Sequence, residues 1–468
     1  MSLLPESIGT AILYEAIEAE TKHMKRVKRR ALFNIVQIGT AFLLFFVQFN
    51  SRGYIAESVF ANAAETTDID PHAGYVGLSV YYLVFTFANL MIPPAIDRLG
   101  LALSMTIGTV LTLLYEIGFF KLNEVYYYVT SGLAGFGAAL IWPSMGTYMT
   151  ENSTEKTLER NSAILWALSQ ASQIIGGFIL LIVFSQSEGD SITPSAMFAT
   201  SVVFTTVLVF SAIVFLTLRP APEDLKVVEE KTEGKKSLIK DLSSTFRLLF
   251  THRMFLLAFV FSYTGICQSF WTSIFPTCIF FTQQLSHNSM KWVAWSCIWA
   301  GVGQIAVSIW TAIPLVSSFF SRRLIVVVGC LTHLVVYVGV YFYFPRESSL
   351  EKSDAIGHFF PNPYAIMFLS FLLGFGDGCW NTQVYALLAD IFPHVSNEAF
   401  ALFNFYQSLM AACSMFYSSY IFLDVHLYIL VATAILGAVS FGVVEYWGKL
   451  QPEEMIKDET EKIPPAFS

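Results

Sequence analysis

The chain has 468 residues, of which 55% are hydrophobic and only 13% charged, with a formal net charge of −8. Soluble domains carry about 25% charged residues, so these proportions exclude an ordinary soluble globular domain. The apolar runs are also too long for the strands of a membrane barrel, which alternate in polarity and cross in about ten residues.

Before the first run, Leu4, Ile8, Ala11, Ile12, Ala16 and Ala19 share one helical face, the pattern of an interfacial amphipathic helix. Tyr14-Glu15-Ala16-Ile17 has the form of a tyrosine sorting signal, and the four Glu among the first twenty residues argue against a cleavable leader. The basic cluster from Lys22 to Arg30 follows and reads as a stop signal for insertion that also suits anionic lipid. Residues 1–30 therefore form an N-terminal segment. Twelve runs able to cross about 30 Å of hydrocarbon are expected at 31–50, 75–96, 101–120, 125–149, 162–184, 196–217, 254–275, 291–316, 323–344, 364–388, 399–422 and 426–447.

Of the 27 Lys and Arg, only Arg52, Lys121, Lys291, Arg346 and Lys352 fall on the side opposite the N-terminus. The positive-inside rule then places both termini and the central linker in the cytoplasm. The sequon Asn152-Ser153-Thr154 lies on that side, so glycosylation is not expected there. All six Cys lie after residue 266, most of them inside runs, with neither a disulfide framework nor metal-ligand spacing.

The charged segment 218–253 divides the runs six and six: a half at 31–217, a half at 254–447 and an acidic tail at 448–468. Near the end of the linker, Leu238, Leu242, Phe246, Leu249 and Phe250 repeat at helical spacing, the pattern of a helix on the membrane surface. The halves look like repeats. Gly135-Phe136-Gly137 in span 4 recurs as Gly374-Phe375-Gly376 in span 10, and Gln48 in span 1 corresponds to Gln268 in span 7. The fold class expected is an all-α membrane protein of twelve helices in two pseudo-symmetric six-helix halves.

Several spans carry polar stripes. Asn34, Gln37 and Gln48 share a face of span 1; Trp166, Gln170 and Gln173 share one of span 5; Asn404, Gln407 and Ser414 share one of span 11. Such amides serve either as interhelical glue or as cavity wall. Span 10 holds the most expensive group, Asp377, with Asn381 on the same face and Trp380 at its flank. A carboxylate at mid-membrane costs on the order of 3 kcal/mol. It is either a proton or cation site or a structural carboxylate bonded to glycine amides or to a Gln of span 1, 5 or 11. Gln48, Gln268, Gln170 and Gln407 are therefore further candidates for binding. Glu116 and Glu445, near span ends, are expected to snorkel to the interface. His333 is expected to be a packing residue rather than a proton relay. No nucleophile–base set appears, so no enzyme, cofactor or nucleic-acid partner is expected.

The stretch Leu373-Gly374-Phe375-Gly376-Asp377-Gly378-Cys379-Trp380-Asn381-Thr382-Gln383 resembles the Gly-x-Gly-Asp-x-x-x-Asn-Thr-Gln signature of the Unc-ninety-three-like (uncoordinated) branch of the major facilitator superfamily. Arg160 to Gln170, Tyr263-Thr264-Gly265, and Phe400 to Asn404 with Gln407 also resemble that branch, in particular its eleventh major-facilitator-domain-containing subgroup, which tends to carry Glu where Gln268 stands. Pro93 to Gly100 resembles the superfamily's Gly-x-x-x-Asp-Arg-x-Gly loop, with Asp97, Arg98 and Gly100 matching. The resemblance implies that Asp97 latches onto the start of span 11. It also implies one of two jobs. One is secondary transport of an unidentified small solute or cation through a central cavity. The other is a non-transporting role, as an accessory subunit of a potassium channel complex or a trafficking chaperone for a receptor.

Overall fold

From Glu6 the backbone runs as one helix to Ala64, 59 residues without a break. At 1.5 Å per residue this is roughly 90 Å, about three times the hydrocarbon thickness. The sequence places the end of span 1 at residue 50. The helix continues because no proline interrupts it, and the charges that read as loop are matched inside the fold: Arg52 by Glu116 and Glu57 by His72.

The computed structural model describes residues 6–185, 192–222, 247–285, 288–313, 320–392 and 396–450, with side chains described from Glu18 onward except at 155, 156, 159, 312, 396, 397 and 448–450. The side chains of the expected N-terminal amphipathic face up to Ala16 and of the sorting-signal segment, together with Leu238, Leu242 and Phe246 of the linker and the tail from residue 451, lie outside what is described.

Among the described residues twelve long helices follow in chain order: α1 (Glu6–Ala64), α2 (Ala73–Met91), α3 (Leu101–Ile117), α4 (Glu124–Glu151), α5 (Glu155–Phe184), α6 (Pro194–Leu216), α7 (His252–Ser269, continued to Phe281), α8 (Ser289–Ala312), α9 (Arg322–Tyr343), α10 (Pro363–Ile391), α11 (Ser396–Ser418) and α12 (Leu423–Leu450). Side-chain oxygens of Asn123, Thr193, Thr251, Asn288, Ser321 and Asn362 cap six of them by accepting first-turn N–H groups. Among the described residues ten helices are apolar enough along 18 residues to cross a membrane; the two of the twelve that fall short are α4 and α10. These are the fourth of each half, where Gly, Ser, Thr and Tyr replace the bulky aliphatics.

Packing repeats between the halves. Helix α1 lies against α5 and α6, α4 against α2 and α3, and α3 against α6; likewise α7 lies against α11 and α12, α10 against α8 and α9, and α9 against α12. The halves meet along α2–α11 and α5–α8, contacts that the same six-helix shift interchanges.

The Gly-Phe-Gly repeat has a matching use. At Gly135 a Cβ would overlap the Tyr81 carbonyl of α2, and at Gly374 the Ala300 carbonyl of α8. At Gly137 it would meet Gly108 of α3, and at Gly376 the His333 ring of α9. Each fourth helix is thereby held close to two neighbours. Because a backbone carbonyl cannot turn aside, Gly135→Ala and Gly374→Ala should each destabilise by about 1–3 kcal/mol. Gly146→Ala and Gly442→Ala, with open space around them, should not. Thermal melts of the four purified variants decide this, and equal melting would dismiss the packing role.

Two local breaks shape the interior. Helix α7 passes through a π turn at Phe270–Ile274, directly before Pro276. Proline cannot bond the carbonyl four residues back, and the wider turn absorbs the mismatch. After α2, a short helix Pro93–Leu99 stops at Gly100, whose φ of 80° is the one positive value among the described residues. A side chain there would be strained although space is open.

Candidate functional site

Asp377 projects from α10 and is nearly buried. Its Oδ1 accepts from Trp271 Nε1 at 3.2 Å and from Asn381 Nδ2 at 3.0 Å, and its Oδ2 accepts from Gln304 Nε2 at 3.1 Å. The three donors come from the π turn of α7, the next turn of α10, and α8. All are neutral. Hydrogen bonds of this kind hold a carboxylate in place without cancelling its charge.

The other buried acids among the described residues are Glu57, Glu116 and Glu445, and each faces a basic group: His72, Arg52 and Arg323 respectively. No ion pair among the described residues reaches Asp377. Glu116 accordingly does not snorkel. It is fully buried and accepts from Arg52 and from Gln48 Nε2 at 2.8 Å, while the Phe119 and Phe204 rings cover the guanidinium at 4.0 and 5.2 Å. Glu445 is likewise buried, against the half-exposed Arg323.

The structure brings only part of the predicted set together. Asn381 is at the acid. Trp380 is fully buried but turned away, its ring 4.7 Å from Tyr263. Gln48 serves Glu116. Gln268 lines a cavity between the halves and donates to Tyr82 Oη at 3.4 Å. Gln170 and Gln407 are half-buried on α5 and α11, and neither bonds to Asp377. The glutamine that does is Gln304 of α8, not one from span 1, 5 or 11, and no glycine amide is needed. His333 packs under Gly376 with Nε2 on the Leu373 carbonyl at 3.1 Å and Nδ1 on Tyr263 Oη at 2.5 Å, satisfied on both sides. Asp97 and Arg98 are exposed and take part in no ion pair among the described residues; residues 393–395, just before α11, lie outside the described set. Asn152 of the sequon is buried and accepts from Asn34 at 2.7 Å.

The cavity opens on the first half through Phe49, Asn50, Tyr81, Tyr82 and Tyr115 and on the second through Gln268, Trp271, Thr272 and Met415. Trp271 stands between this space and Asp377, its ring also 6.3 Å from Tyr54. On the face opposite the termini the halves are fastened. Tyr75 Oη donates to the Ser349 carbonyl at 3.1 Å, and Lys352 pairs with Glu65 at 2.6 Å.

Beside that fastening, His72 sits in the turn between α1 and α2, its Nδ1 2.9 Å from Glu57; Tyr75 N donates to the same carboxylate at 2.8 Å. Burial opposes a charged His72, yet the hydrogen bond and charge of Glu57, with Asp70 and Glu351 adding to them, raise its pKa above the ordinary 6.5. A raised pKa in the folded state means that protonated His72 contributes stability below about pH 6.5 and that this contribution fades as pH rises through the folded value. Melting temperature should therefore fall on that rise in the wild type. His72→Gln should lack the step, and parallel curves would refute the pairing.

The profile of a family described as "Ion channel regulatory protein UNC-93" matches residues 65–442. The chain belongs to the UNC-93 family. It is 30% identical over 438 residues to the UNC93-like protein MFSD11 of Xenopus laevis, covering 90% of this chain and 97% of that one. To Protein unc-93 homolog A of Homo sapiens it is 24% identical, covering 89% and 93%. Among solved structures it resembles a peptide transporter POT in complex with sulfate at TM-score 0.65 and 11% identity, covering 90% of this chain and 96% of the other. It also resembles a mutant form of the nucleoside transporter NupG at TM-score 0.59 and 10% identity, covering 87% and 99%. These likenesses establish the major facilitator fold for this UNC-93 family member. The family implied by the span 10 motif and the multi-pass architecture expected from the apolar runs are thus shown.

Proposed function

We propose that this UNC-93 family protein is a secondary transporter in which Asp377 takes up the coupling proton or cation. The observation carrying this reading is the unneutralised carboxylate: three neutral donors fix it beside an inter-half cavity, whereas every other buried acid among the described residues has a base. An ionisable group inside a membrane bundle that is not matched by a partner charge marks an ion pathway by default. Trp271 links it to the cavity, so a change of charge at Asp377 is felt where a solute would lie. With the terminal face taken as cytoplasmic, the Tyr75–Ser349 and Glu65–Lys352 fastening makes this an outward-closed arrangement. In the opposite state, Asp97 is then free to latch the start of α11, where helix N-terminal amides favour a carboxylate.

The test is flux. Purified protein reconstituted in vesicles with an internal pH dye is offered a panel of amines, amino acids, nucleosides and sugars. Wild type should move protons or sodium with at least one solute, and Asp377→Asn should uncouple or abolish that movement. Inserted wild-type protein that moves neither ion with any solute would overturn the proposal. It would leave the accessory-subunit reading suggested by the family's description, in which Asp377→Asn changes no flux.

A further inference from the structure

The chemistry of the cavity wall narrows the solute. Five aromatic side chains line it, Phe49, Tyr81, Tyr82, Tyr115 and Trp271, and among the described residues no charged side chain does. The rings lie in different planes: Tyr81 and Tyr82 are perpendicular at 5.1 Å, and Phe49 is tilted 40° to Tyr81 at 5.2 Å. Phe49, Tyr81 and Tyr82 therefore do not stack in parallel. Arg52 is spent on Glu116 and capped by Phe119 and Phe204, so that pair adds no net charge. Asp377, bonded to Trp271, adds a carboxylate behind the wall. Aromatic faces and a carboxylate together make the cavity negative, which rejects anions and favours cations.

The indole bond adds a specific link. An N–H donated to a carboxylate shifts electron density into the ring and strengthens its face as a cation platform. Protonating Asp377 removes that effect without the ligand touching the acid. We propose that the cavity binds a small organic cation, an amine or quaternary ammonium, on an aromatic box whose affinity is set by Asp377 through Trp271. Proton and organic cation then compete, the thermodynamic requirement for exchanging one against the other. The inference rests on the reading of Asp377 as the ion-coupling group.

Binding to the full-length protein in nanodiscs tests it, with choline and tetraethylammonium as probes and neohexyl alcohol as choline's neutral carbon isostere. At about pH 8 an ammonium probe should bind at least roughly tenfold more tightly than the neutral isostere, and Trp271→Leu and Tyr82→Leu should each weaken it by roughly tenfold. At about pH 5 the wild type should bind it several-fold more weakly. Trp271→Phe keeps a ring but has no N–H, so it should bind more weakly than the wild type at about pH 8 and lose most of the pH dependence, whereas Asp377→Asn should bind at the wild type's pH 5 level at both pH values. Equal binding of the isostere, or undiminished ammonium binding by a folded Trp271→Leu, overturns the box. Identical pH dependence in wild type and Trp271→Phe overturns the link. If either fails while Asp377→Asn still abolishes ion-coupled flux, the organic-cation inference falls and the coupling role of Asp377 stands.

Discussion

Arg52→Met should be the most damaging single substitution in the first half. Arg52 and Glu116 are both fully buried and bonded to each other. Removing one partner of a buried pair leaves the other charge uncompensated, at about 3–5 kcal/mol, enough to consume much of a domain's net stability. The expected result is a steep loss of monodisperse protein and a large drop in melting temperature. Glu116→Gln should cost less, because the stranded guanidinium keeps Phe119, Phe204 and the hydroxyl of Ser201 around it. The double variant, with no charge left to bury, should recover most of what Arg52→Met loses. Arg52→Lys should not restore the wild type, since one ammonium cannot reproduce the forked contact through Nε and Nη2. A fully stable Arg52→Met would mean the pair contributes nothing to the fold.

That pair also marks where sequence reading stops. The two-half architecture was legible because it rests on run length and on a repeated Gly-Phe-Gly, both local properties. The glycines then proved to do the same job in each half, admitting α2 and α3 to α4 and α8 and α9 to α10. Asp377 was legible because a carboxylate in an apolar run is costly wherever it points. Its partners were not. Gln304 is one amide among many, and only the crossing of α8 over α10 selects it above Gln48, Gln170 or Gln407. Trp271 had one available signal, Pro276 five residues later, which forces the π turn that carries the indole. Arg52 read as a loop charge because hydropathy counts its cost and cannot see Glu116 sixty-four residues away. Trp380 misled for the opposite reason. Sequence proximity to Asp377 suggested the site, whereas its position three residues on turns it toward Tyr263.

Asp377→Asn should leave the protein folded and raise its stability while removing ion coupling. Asparagine has the same shape, and its carbonyl can still accept from Trp271 and Asn381. Its new amide would face the Gln304 donor, a clash in the present orientation. Gln304 Oε1, however, is buried without a partner. Turning the Gln304 amide over presents that oxygen to the new N–H group, so Oε1 gains a donor while Nε2 gives up its acceptor and one bond between the two side chains is kept. The variant also removes an unneutralised charge from a low-dielectric interior. A gain of about 0.5–2 kcal/mol is expected, the usual size of the release when a functional site's strain is relieved. A carboxylate kept only for packing behaves differently: losing its charge-assisted bonds to three donors would cost stability. The melting temperature of Asp377→Asn against wild type therefore separates the two roles by its sign. Asp377→Ala supplies the control, since it strands all three donors and should lose stability under either role. Should Asp377→Asn melt well below wild type with ion-coupled flux intact, the acid is a structural element and the coupling site lies elsewhere. A more stable protein that no longer couples is the signature of a charge maintained against the fold's own preference, for work done in the membrane.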